Sequence, residues 1–119
     1  MANLRDLKKE VKYVCGDLAA ECMIAESFIK GVDREKMNGL VVRIADLQST
    51  ALSGVNFSFD KQPADFGSSR DYSAARSAYF RKAYKSFREK FYKHVNEIVH
   101  EMNAALPYTA REAKQELAQ

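Results

Sequence analysis

A chain of 119 residues, 46% of them hydrophobic and 29% charged, is the size of one ordinary domain and can bury roughly two thirds of its unfolded surface without help from disulfides or metal. Two prolines and five glycines exclude a fibrous repeat and argue against disorder, while a net charge of +3 is too small to name a partner. Residues 1–9 have no apolar core of the kind a secretory signal needs, and no apolar run approaches the roughly 20 residues of a bilayer span. The expectation is a soluble, cytoplasmic protein with no membrane insertion.

The first predicted element covers 4–30. Leu4, Leu7, Val11, Val14, Leu18, Cys22, Ala25 and Ile29 recur at steps of three and four, which keeps one stripe of a 3.6-residue helix facing inward. Asn3 can cap its first turn, Asp6 adds charge where the helix dipole favours it, and Gly31 supplies a stop. Cys15 and Cys22 stand seven positions apart on this helix, about 10 Å along its axis and too far to bridge. They read as small buried thiols in a reducing compartment. Gly16, costly inside a helix, suggests a second helix crossing closely there.

The second element covers 34–53. Asp33 is its N-cap, and Met37, Leu40, Val41, Ile44, Leu47 and Ala51 form its inner stripe. A link this short predicts an antiparallel hairpin with the first helix. The opening Leu4-Arg5-Asp6-Leu7-Lys8-Lys9-Glu10-Val11, followed by Tyr13, Glu21-Cys22, a short link and this second amphipathic helix, resembles a family of small, uncharacterised bacterial all-helical proteins. The link Val32-Asp33-Arg34-Glu35-Lys36 lacks the His-Pro step of that family. What the resemblance implies is an all-helical fold, and no activity.

Over 54–69 the helical period is lost, and Val55, Phe57 and Phe59 alternate with period two ahead of Pro63. This is a long loop, with Phe57, Phe59 and Phe66 expected to pack across the helices. The third helix, 70–105, is the longest and ends before Pro107. Tyr72, Tyr79, Phe80, Ala83, Phe87, Phe91, Val95, Ile98 and Met102 form its expected inner stripe. Thr109 with Glu112 fits a capping box for a short final helix over 110–117. The chain is thus read as an all-α, antiparallel three-helix or four-helix bundle forming a single domain with a long third helix.

Little of the chemistry is specific. His94, Glu97, His100 and Glu101 share a helix face, and Glu97-x-x-His100 has the spacing of di-iron carboxylate bundles. Such sites need a second pair and two further carboxylates, and the chain has only two histidines. A metal-dependent bundle enzyme is accordingly the third reading, with no metal or cofactor expected. No phosphate-binding glycine loop or nucleophile elbow occurs either, so the chain is read as not an enzyme.

Charge has more character than chemistry. Eight basic residues between Arg70 and His94 face two acids, a local +6 against −3 for the remainder. Arg81, Lys85, Arg88 and Tyr92 fall on one outward stripe with Lys82 and Lys93 beside it, a pattern that could track phosphates and makes nucleic-acid binding the second reading. Seven of the thirteen aromatics lie between Tyr72 and Tyr92, more than one inward face can use. A rim of Tyr72, Tyr79, Tyr84 and Tyr92, with Phe57 and Phe59 from the loop, is what a protein interface resembles. The leading reading is an interaction module that binds a protein partner or itself as a homo-oligomer.

Overall fold

The computed structural model describes residues 3–107. Three α-helices, α1 (Leu4–Phe28), α2 (Arg34–Gly54) and α3 (Ser69–Ala105), are joined by a tight link and by a loop carrying one 3-10 turn, Pro63–Asp65. No strand occurs among the described residues. The final helix expected over 110–117 lies outside them.

Each α-helix starts where a polar side chain satisfies a freed backbone donor. Asn3, Asp33 and Ser68 accept hydrogen bonds from the N–H groups of Asp6, Lys36 and Asp71 at 2.9, 3.0 and 3.1 Å. Substituting such a cap ordinarily costs about 1 kcal/mol. The stop differs from expectation by two residues, because α1 ends at Phe28 and Gly31, at φ +84°, turns the link that follows. Only glycine holds that backbone without strain. Pro107 packs against Gly31, 3.6 Å from where a β-carbon would sit, and the Asp33 N–H donates to the Ala105 carbonyl at 3.1 Å. The α1–α2 link is thereby tied to the end of α3.

One core forms where the stripes of all three helices meet. Val11, Cys15, Leu18 and Cys22 of α1 pack with Met37, Leu40 and Ile44 of α2 and with Phe91, Val95, Ile98 and Met102 of α3. No polar side chain is buried among the described residues, so this core carries no desolvated charge. Ion pairs at the edge join α2 to α3: Lys36 lies 3.5 Å from Glu101, and Arg43 bonds Glu101 and lies 3.6 Å from Glu97. These groups are a third to a half exposed, where water and salt leave a pair worth well under about 1 kcal/mol.

Two expectations are corrected. A β-carbon at Gly16 would meet nothing within 4 Å, so no helix crosses there; the residue lies on the open side of α1. The inner stripe predicted for α3 also begins too early. Its first buried residue is Phe91, while Tyr72, Phe80, Ala83 and Phe87 are half-buried and Tyr79 is exposed. The physical reason is length: α3, at about 55 Å, outruns α1 and α2, which leave its first five turns uncovered. A radius of gyration of 19.5 Å, against about 13 to 14 Å for a rounded chain of this size, records the resulting arm.

Both cysteines are buried, and desolvation pushes the Cys15 thiol above its ordinary value of 9.0. The thiolate is the reactive form, so Cys15 is expected to react with a thiol reagent only as fast as the protein unfolds. Labelling of the native protein at the rate of the denatured chain would contradict this placement.

Candidate functional site

Two surfaces stand out, one on the arm and one on α1. The loop after α2 folds back along the uncovered part of α3, and rings carry the contact. Phe66, Phe59 and Tyr72 touch one another, Phe59 meets Tyr79 at 5.5 Å, and Phe57 meets Tyr84 edge-on at 5.5 Å and Phe87 at 6.0 Å. Phe87 stacks on Phe91, which brings the series into the core. The ring contacts of the loop phenylalanines thus run along α3 alone and not across the helices as expected, and the rings of the predicted rim mostly contact each other. Gln62 and Asp65 close the 3-10 turn reciprocally, Asp65 accepting the Gln62 N–H at 2.8 Å, which fixes the reversal of the loop.

Beside this arm the start of α1, the loop and α3 enclose an open cleft of about 1170 Å³. Phe57, Phe59, Phe80 and Tyr84 supply its apolar surface, and Arg5, Arg76, Arg81, Lys85 and Arg88 its charge, against Glu89. Arg76 lies over the Phe80 ring, 4.9 Å from its centroid, so cation–π attraction holds one guanidinium at the aromatic floor.

The predicted basic stripe is split by this geometry. Arg81 and Lys85 are exposed in the cleft. Arg88 instead turns to α1, where its Nε donates to Glu10 at 3.1 Å, and Tyr92 is half-buried beside the same carboxylate. Burial, then the Glu10 charge, hold the Tyr92 phenol above its ordinary value of 10.0, with Arg88 opposing. Lys82 and Lys93 are exposed but do not line the cleft; Lys93 lies beside Arg43, Asn96, Glu97 and His100.

The second surface went unread in the sequence. Tyr13, Met23, Ile24 and Phe28 on the outer side of α1 are 73%, 57%, 57% and 82% exposed, with Ala20 and Gly16 between them. Tyr13, Ala20, Ile24 and Phe28 follow at steps of seven, four and four, a second apolar stripe opposite the one that enters the core. Its signal was there: between Tyr13 and Ile29 the chain has no lysine or arginine, and Tyr13, Ala20, Ile24 and Phe28 are apolar positions outside the core stripe.

His94 lies 3.8 Å from Glu97 and reaches no other carboxylate there. Among the described residues no three or more histidine, cysteine or carboxylate side chains stand together as a metal site would require. Nor is any described helix long and apolar enough to cross a membrane. Compared with known protein families, curated proteins and solved structures, the chain matches none.

Proposed function

We propose that this chain is a non-catalytic interaction module, an antiparallel three-helix bundle that associates with copies of itself or with a protein partner through the outer face of α1. The observation that carries this reading is the exposure of Tyr13, Met23, Ile24 and Phe28 on one helix. Together they leave several hundred Å² of apolar surface in water, roughly the upper end of what monomeric proteins tolerate. Covering that surface yields a gain proportional to area, which salt does not screen.

Sedimentation velocity tests it directly. The wild-type chain is expected to run as a dimer or larger species at both low and high salt. Ile24→Glu combined with Phe28→Glu is expected to run as a monomer of unchanged helicity, because glutamate keeps the helix while placing charge on the face. A monomeric wild type at high protein concentration, with no partner retained from its own cells, would sink the reading.

The cleft supports a second reading, nucleic-acid binding, because Arg81 and Lys85 stand beside Phe80 and Tyr84, a pairing of phosphate-seeking charge with stacking rings. Such binding would weaken with log[salt] by about 0.7 to 0.9 in log K per phosphate neutralised.

A further inference from the structure

We infer that the occupant of the basic cleft is the outer face of α1 from a second copy of this chain. The inference rests on the self-association reading and names the surface that the exposed face meets.

Three observations carry it. The first is charge: from Tyr13 to Phe28 the outer face of α1 carries Asp17 and Glu21 and no basic residue, a local −2. The cleft has five basic side chains and Glu89, a local +4, reduced to +3 when Glu10 is counted against Arg88. Two α1 faces laid on each other would bring Asp17 and Glu21 near their own copies, whereas face against cleft pairs opposite signs. The second is chemistry: the face offers aliphatic and aromatic side chains, and the cleft floor offers rings such as Phe80 and Tyr84, which pack well against both. Length is the third. Tyr13 to Phe28 spans about 22 Å of helix, and the cleft follows α3 from Arg76 to Glu89 for about 20 Å.

When a two-fold relates the copies, face meets cleft twice in one isologous, closed pair; without a two-fold the contact is heterologous and continues into a ring or a filament.

Two variants used together test the inference in the full chain. Ile24→Glu with Phe28→Glu disables the face, and Arg81→Glu with Lys85→Glu disables the cleft. Far-UV circular dichroism verifies that both stay helical, with Arg81→Ala and Lys85→Ala as the milder cleft pair. Each variant alone is expected to self-associate at least about tenfold more weakly than wild type, since charge at an interface core or mismatched at its rim is costly. Mixed one to one, they are expected to form a heterodimer and nothing larger, because the mixture keeps one intact face and one intact cleft. A cleft variant that assembles as wild type does would overturn the inference and leave the self-association reading standing, with the faces meeting each other. A mixture that stays monomeric overturns it too. If instead a labelled single-stranded oligonucleotide of about twelve nucleotides binds the wild type, is lost by the cleft variant, and the protein is monomeric throughout, both readings fail.

Discussion

Replacing Phe91 by Ala is expected to destabilise the chain by about 3 to 5 kcal/mol, the range for removing a buried aromatic ring whose surroundings cannot collapse into the space. Phe91 is the place where the arm enters the core: it is 4% exposed, it packs in the cluster with residues of α1 and α2, and it stacks on Phe87 at 6.2 Å. Total stabilities of domains are about 5 to 15 kcal/mol, so this one change removes a large share. Urea unfolding followed by far-UV circular dichroism reads the loss directly. A shift below about 1 kcal/mol would mean that Phe91 is peripheral and that the core is held by the α1–α2 pair alone. Phe91→Leu should recover part of the stability, because volume matters more here than the ring.

Phe57→Ala is expected to act locally. Its ring bridges Tyr84 and Phe87 and anchors the loop along the uncovered part of α3, yet it is only half-buried and outside the main core cluster. Ring pairs of this kind contribute about 0.5 to 1.5 kcal/mol each beyond their area. Losing two should leave the global unfolding midpoint changed by about 1 kcal/mol while hydrogen exchange over residues 69–84 speeds up by about tenfold or more. Exchange that accelerates equally over α2 would show that arm and core unfold as one unit, contrary to this expectation.

The helices were legible because the physics that sets them is local. Steps of three and four mark the stripes of α1 and α2, and Asn3, Asp33 and Ser68 stand where each helix needs an acceptor. What could not be read is which stripe is covered. In α3 the pattern of Tyr72, Tyr79 and Phe80 has the same period as that of Phe91, Val95 and Ile98, and period alone does not say where α1 and α2 end beside it. The same limit hid the outer face of α1, since Tyr13 and Ile24 obey a helical spacing as well as Val11 and Cys22 do. Of the candidate residues, Arg81 and Lys85 were placed well together. Arg88 and Tyr92 were drawn away from their stripe by Glu10, 78 positions before Arg88, a long-range partner that no helical wheel contains.

The bond from the Asp33 N–H to the Ala105 carbonyl, with Pro107 against Gly31, also decides where labels can be attached. Pro107 lies at the α1–α2 link, about 35 Å along α3 from the Arg81 level of the cleft. Asn3, by contrast, lines the cleft itself. A fluorophore attached at Asn3 therefore sits at the mouth of the cleft and competes with whatever enters it, while one attached at Pro107 leaves that mouth open. Two labelled forms of one chain, differing only in which of these two positions carries the label, should consequently differ in apparent affinity, with the Asn3 form the weaker.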